Sequence, residues 1–274
     1  MIMKKPLLLL HGICNNANLF AVPDNGLGHY LSQNFDIYPV SYPVENHRNQ
    51  PWDFDFHLHH DLPVIWRRVC AETGEKPFVF GYSMGGMLAM AGQAHKIIDA
   101  PAIVTAASPF NFSFIPLYPP LMKTWARFAA LTGYRTVPVR LLGRILCSFL
   151  AAVRPAATMF DLNLFRHLLK TATINVPVET ILQALVWTKT RKFTDRTGEF
   201  EYLSKFSEVK TPVCMIYGSK DRIAPDYSVE VGYNAVSSGR KALINIDGGT
   251  HVSMTAGEHA RKISELTDCW CNHP

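Results

Sequence analysis

The chain is short of charge. Asp, Glu, Lys and Arg make up only 18% of its 274 residues, against 48% hydrophobic residues. That composition excludes an intrinsically disordered chain, which lacks the apolar surface needed to offset its conformational entropy. Long apolar runs are missing too, since none approaches the ~20 residues that span a bilayer. The opening "MIMKKPLLLLHG" imitates a secretory leader, with two lysines ahead of leucines. Its apolar run Pro6–Leu10 is too short for a leader and stops at His11 and Gly12, so none is expected. There is no cysteine framework either. Cys14, Cys70, Cys147, Cys214, Cys269 and Cys271 are scattered, which fits reduced thiols and a cytoplasmic protein. Cys269 and Cys271 lie close in sequence, but two thiols without neighbouring ligands do not define a metal site. Internal repeats and low-complexity tracts are also absent.

What is present is length enough for a large core and a regular alternation of elements. Short apolar runs bounded by turn residues recur at 6–10, 35–40, 76–81, 100–108, 211–218 and 241–247. Each has strand length and is apolar throughout, as expected of parallel strands covered on both faces. Helix-compatible stretches lie between them at 55–72, 83–98, 226–237 and 257–270. This order predicts an α/β fold around a parallel sheet. The regularity breaks between Pro109 and about Ser204, a proline-rich segment with a helix-like stretch at 140–153 and no evident strand. The expected organisation is therefore a core of 1–108 and 205–274 with a helical cap inserted at 109–204. Charge is uneven as well. The overall net charge is +5, yet residues between Phe110 and Phe200 carry twelve Lys or Arg against four Asp or Glu.

One stretch asks for chemistry. "VFGYSMGGMLAM" (79–90) runs an apolar strand into Ser83, with Gly81 and Gly85 two positions to either side. Glycines at that spacing are needed when a serine is forced into a tight strand-to-helix turn. Composition alone produces such a pentapeptide in roughly one chain in ten of this length, so the remaining strand ends must support it. They do. "HGICNNANLF" follows the first strand, "GSKDRIAP" the fifth and "DGGTHVSM" the last. Ligands of open α/β sheets bind at these strand ends. The loops supply Asp221 and His251 after Ser83, together with a backbone-rich turn at His11 and Gly12. A serine hydroxyl needs an imidazole to take its proton, and the imidazole needs a carboxylate on its far nitrogen. The oxyanion that develops needs fixed N–H donors, for which Ile13 and Met84 are the candidates, Met84 with a helix dipole of the right sign behind it.

With these residues in place the sequence resembles the α/β-hydrolase superfamily, in its lipase, esterase and polyhydroxyalkanoate-synthase-like branch. The motifs are "LLLLHG", "DLPVIWRRVCAETGEKPFVFGYSMGGMLA", "YGSKDRIAP" and "GGTHVSM", so the likeness spans 7–107 and 211–270 and fades across the insertion. Two departures matter. Tyr82 stands where relatives often have His, which leaves the chemistry intact. Serine at position 83, where polymer synthases have cysteine, argues against polymer synthesis. The chain also begins at what would be the third strand of relatives, implying a sheet of six strands. The resemblance implies no cofactor and no nucleic-acid partner.

Blander readings compete at several positions. Ser83 is alternatively a helix N-cap and His251 a surface histidine. Asp226 and Asp247 rival Asp221, and Asp247 also suits a turn before two glycines. Cys14 is a reactive thiol or a small buried filler. "FHLHHD" (56–61) invites zinc, because His57 and His60 would share a helix face, but only Asp61 is near enough to be a third ligand. The 140–153 helix carries Leu141, Leu142, Ile145, Leu146, Phe149 and Leu150 on one face and Arg140, Arg144 and Ser148 on the other. It is either a plain cap helix or an interfacial one meeting anionic head groups, with a peripheral membrane location. The expected activity is hydrolysis of carboxylic esters with apolar acyl groups, the alternatives being an acyltransferase or thioesterase with the same residues, or a non-catalytic binding protein. Substrate contacts are expected from His11, Gly12, Tyr82, Phe110 and Phe112, with Phe114, Ile115, Leu117, Trp125 and Phe128 extending an apolar acyl site.

Overall fold

In the computed structural model, residues 4–42, 52–112, 136–141 and 162–272 are described, together with Thr124 and Phe128. The elements run in the expected alternation: β1 (Lys5–Leu10), α1 (Leu27–Leu31), β2 (Phe35–Val40) and α2 (Phe54–Phe56). A π-helical turn, His57–Asp61, joins α2 to α3 (Leu62–Thr73), and β3 (Phe78–Tyr82), α4 (Met84–Ala94) and β4 (Ile103–Ala106) follow. Between β4 and the next sheet strand lie β5 (Thr136–Val137), α5 (Leu162–Thr171), β6 (Val176–Pro177) and α6 (Val178–Thr190). The chain returns to the sheet with β7 (Val213–Gly218), α7 (Asp226–Ala235), β8 (Lys241–Ile246) and α8 (Gly257–Asn272).

Six strands form one sheet in the order β2-β1-β3-β4-β7-β8, and every pairing is parallel. The apolar runs explain this placement. β3 and β4 are buried throughout, as are Leu7–Leu10 of β1, while the edge strands β2 and β8 are only partly covered. Chain order reverses at β1: β2 lies on one side of it and β3 on the other. The loops leaving β1 and β3 therefore diverge to opposite faces and open a crevice between their carboxyl ends. His11–Ile13 and Ser83 occupy those two loops.

The inserted segment differs from expectation in one respect. A two-stranded antiparallel sheet, β5 with β6, sits where the sequence shows no strand. Each strand has two residues, too few to leave a period-2 pattern. The segment is also rooted in the main core. Phe110, Trp187, Phe193 and Tyr202 belong to the same buried cluster as the sheet residues, and Phe54 packs edge-on to Phe193 at 5.0 Å and to Trp187 at 5.6 Å. Buried polar bonds reinforce the junction. Asp55 accepts from the Tyr202 hydroxyl (2.7 Å), the Gln183 amide (2.5 Å) and the Arg196 backbone N–H (2.9 Å). Arg196 also reaches Asp53 at 3.1 Å. The helix expected at 140–153 lies outside the described residues beyond Leu141.

Candidate active site

Ser83 sits between β3 and α4 with φ 54° and ψ −122°, a conformation that non-glycine residues rarely adopt. Such backbone costs about 1–3 kcal/mol and is retained where surroundings over-determine it. The Ser83 N–H donates to the Ala106 carbonyl at 2.8 Å, which ties the turn to β4. The two flanking glycines are there for space. A Cβ on Gly81 would run into the backbone of Gly86, and one on Gly85 into the Leu10 carbonyl. The turn thus closes against β1 only because both side chains are missing.

The imidazole of His251 meets this serine. Its Nε2 lies 3.1 Å from Ser83 Oγ, and its Nδ1 lies 2.8 Å from Asp221 Oδ2. Asp221 is fixed in turn: its side chain is fully buried, and Oδ1 accepts from the Ile223 and Ala224 N–H groups at 2.8 and 2.9 Å. A carboxylate only accepts, so Nδ1 carries the proton and Nε2 of the neutral ring presents a lone pair to the hydroxyl. The rival acids are elsewhere. Asp226 accepts from the Tyr227 N–H (2.7 Å), and exposed Asp247 contacts Ser219 Oγ (3.3 Å).

Gly12 faces the nucleophile so closely that a Cβ there would lie 3.0 Å from Ser83 Cβ. The Met84 N–H heads α4, and no acceptor among the described residues takes it or the Ile13 N–H. The orientation of Ile13 is pinned by its neighbour. His11 Nδ1 donates to the Gly12 carbonyl at 2.8 Å, and the Ile13 N–H points the opposite way across that trans peptide. Tyr42 fixes the preceding peptide, its hydroxyl donating to the His11 carbonyl at 3.2 Å. Burial lowers the His11 pKa to about 4; the Gly12 bond opposes this and the His57 ring adds to it. His11 is therefore neutral at pH 7. The same loop is stitched to the inserted segment. Asn16 N–H donates to Ala172 O (2.9 Å), Ile174 N–H to Cys14 O (2.8 Å) and the Asn18 amide to Thr171 O (3.1 Å).

The other expected site residues divide. Tyr82 donates its hydroxyl to the His251 carbonyl at 2.6 Å, so it steadies the histidine loop. Burial, with Asp221 nearby, raises its pKa well above the ordinary value and keeps it a donor. Phe110 and Phe112, expected as substrate contacts, are both buried in aromatic packing. Phe110 is wholly buried against Phe206 and Gly232, and Phe112 packs on Trp187 at 4.9 Å. An apolar residue just after a sheet strand is as easily core as cleft, and sequence does not separate the two. Phe128 is exposed; Phe114, Ile115, Leu117 and Trp125 lie outside the described residues. Desolvation pushes the Cys14 thiol up to about 12, which disfavours its thiolate.

The histidine cluster also resolves. His57 is buried and bonds Asp61 at 2.7 Å, whereas His60 is exposed and stacks on Phe56 at 4.6 Å. The two do not share an environment, and among the described residues no three His, Cys, Asp or Glu are placed to hold a metal. The buried His57–Asp61 pair was not foreseen, although its i,i+4 spacing was visible.

A cavity and a groove lie against loops that carry the site residues. A cavity of about 20 Å³ is bounded by the 11–15 loop, Met84, Tyr42, His57 and the 174–180 segment. A groove of about 430 Å³ lies between Val22–Asn25, the Asn163–His167 part of α5, and Ser253–Gly257, two residues beyond His251. Its size suits a small-molecule site.

A parallel sheet whose switch point carries a strained serine, with an Asp–His pair delivered by later loops, defines an α/β hydrolase. A model of the alpha/beta hydrolase family matches residues 7–265, and the chain belongs to that family. The match reaches the family and not a branch within it. No curated protein sequence matches the chain. Among solved structures it is similar to a monoacylglycerol lipase of Paleococcus ferrophilus (14% identity, 98% of this chain and 96% of that one, TM-score 0.67). A lipase-esterase related protein from Clostridium acetobutylicum is similar too (13%, 98% and 95%, TM-score 0.68). So is a bromoperoxidase from Bacillus anthracis (13%, 98% and 92%, TM-score 0.66). At these identities the likeness is one of fold.

Proposed function

We propose that this protein hydrolyses carboxylic esters with apolar acyl groups through an acyl-serine intermediate. The observation that carries this is the hydrogen-bonded line Ser83 Oγ–His251–Asp221 ending beside two N–H groups. Ser83 Oγ attacks the ester carbonyl while His251 Nε2 takes its proton, and Asp221 holds the imidazolium. The Ile13 and Met84 N–H groups receive the oxyanion; losing one such donor typically costs about 2.7–4 kcal/mol of transition-state stabilisation. Collapse of the tetrahedral adduct expels the alcohol, which takes the proton from His251. Water, deprotonated by the same ring, then releases the acid and restores Ser83. An alcohol or thiol acceptor entering in place of water makes the same residues an acyltransferase.

The groove lined in part by Ser253, two residues past His251 in sequence, supports the substrate class. Val22, Leu164 and Ala256 offer it apolar surface, and Asn25, Asn163 and His167 offer polar contacts for the rest of the ester. In this reading 1–108 and 205–274 are the core and 109–204 the cap, and the free thiols suit the cytoplasm. The exposed cations of the cap, Arg166, Lys170, Lys189 and Arg191 among them, bring it to anionic membrane surfaces. Fluorophosphonate labelling followed by a p-nitrophenyl ester series of rising acyl length tests the proposal. Labelling at Ser83 and turnover that improves beyond acetate are expected. Absence of both would sink it.

A further inference from the structure

We propose that the small cavity beside the oxyanion loop binds one hydroxyl group, held between His11 Nε2 and the Asp61-paired His57. His11 supplies the first acceptor. Its Nδ1 is committed to the Gly12 carbonyl, which only accepts, so the proton is on Nδ1 and Nε2 is a bare lone pair. The residue is 2% exposed, and among the described residues nothing hydrogen-bonds that nitrogen. Buried acceptors in folded proteins almost always find a donor.

His57 supplies the second polar contact. It is 4% exposed, and its Nδ1 is taken by Asp61 Oδ2 at 2.7 Å, which leaves Nε2 for the occupant. Both imidazoles pack on Tyr42, with ring centroids 4.2 and 4.7 Å away, and both line the same cavity. Size then limits the occupant. A volume of about 20 Å³ holds a single oxygen-sized group, for which about 10–15 Å³ suffices, and excludes an acyl chain. The His11 lone pair in such a space matches a group with an O–H donor, which either water or a hydroxyl on the acyl part of a substrate supplies.

The position gives the group a task. Ile13 and Met84, the two oxyanion donors, line the cavity as well. A hydroxyl bonded to His11 Nε2 braces the ring that holds the 12–13 peptide, and His57 connects that brace to the α2–α3 helix. This role rests on the ester-hydrolase reading; the binding itself does not.

A crystal structure of the full chain, at a resolution that shows ordered water, tests the binding independently of activity. An oxygen at ordinary hydrogen-bond distance from both His11 Nε2 and His57 Nε2 is expected from bulk water. Matched p-nitrophenyl acetate and glycolate esters identify the source. A preference for glycolate of about tenfold or more in kcat/KM assigns the site to a substrate hydroxyl. Equal values together with the crystallographic oxygen assign it to water. Equal values with no oxygen there overturn the proposal. Val176→Leu adds a methylene to the cavity and removes no polar group. It is expected to lower kcat about tenfold at unchanged KM, because the oxyanion donor loosens. A folded Val176→Leu protein that has lost the oxygen yet keeps wild-type kcat overturns the bracing role.

Discussion

At the scale of single residues, the strained Ser83 backbone and the buried Asp221 carboxylate are joined through His251. Ser83→Ala is expected to abolish fluorophosphonate labelling and ester turnover while leaving the circular dichroism spectrum and melting temperature nearly unchanged. His251→Ala should lower kcat almost as far, because such residues act as a unit. Asp221→Asn should cost roughly 10⁴ in kcat by favouring the wrong tautomer. Mild loss in Asp221→Asn with severe loss in Asp247→Asn would show that the acid is misassigned. His11 makes a separate prediction about pH. Its pKa falls from 6.5 to about 4 on folding, chiefly through burial. The native state therefore binds fewer protons than the unfolded one, and the stability this provides is full above 6.5 and lost as pH falls toward 4. Denaturation at pH 7 and pH 4.5 should reveal about 2 kcal/mol of such loss, and that part should vanish in His11→Gln.

At the scale of elements, two joints decide how the site is held. The first is the π-helical turn before α3. Pro63 lacks an N–H and the Leu62 N–H reaches back to the His57 carbonyl, so the turn widens by a residue and swings His57 and Asp61 inward together. The second is the seam between the 14–18 loop and the 171–174 segment. Asn18→Ala removes one bond of that seam on a partly exposed surface, so the melting temperature should barely move. Yet kcat should fall roughly threefold or more, since oxyanion donors lose effect when displaced by fractions of an ångström. A drop in stability with unchanged kcat would mean that the seam is only structural. Arg196 tests the rooting of α6: Arg196→Met leaves Asp53 and Asp55 without their cation. Half-exposed as it is, its loss should lower stability by about 1–2 kcal/mol with KM unaffected.

At the scale of the whole molecule, charge and apolar surface are arranged around one end of the sheet. Leu141 is 57% exposed next to Arg140, and α5 presents Arg166 and Lys170 outward. Each Lys or Arg near an anionic bilayer is worth about 1 kcal/mol, and salt screens the attraction. Cosedimentation should therefore show binding to vesicles containing phosphatidylserine, weakened by raised salt, and little binding to neutral vesicles. Arg166→Gln with Lys170→Gln should reduce it without changing turnover of a short soluble ester. Arg140 suits this test less well, because its guanidinium also donates to the Lys170 carbonyl at 2.8 Å and so helps place α5. Equal binding to both vesicle types, or to neither, would leave the basic segment as a plain cover.

Local physics made much of this protein legible from its sequence. The central parallel strands show as apolar runs because both of their faces are covered, and the partly covered edge strand β2 (Phe35–Val40) coincides with its expected run too. Ser83 was readable because a tight turn demands glycine at fixed offsets. Asp221 and His251 were readable because each follows a strand whose end must face the same crevice. The division between core and cleft was not. Phe110 sits beneath α7 and Tyr82 behind the His251 loop, placements that depend on which helix covers which strand end, and hydrophobicity carries no such address. The β5–β6 pair was invisible because two residues leave no period, and the His57–Asp61 pair because a π-turn alters the facing that helical spacing implies. Chain order and residue type determined which groups reach the end of the sheet. Only the packing of the inserted segment against the first loop decided how that loop is braced, since that depends on contacts between residues more than 150 positions apart.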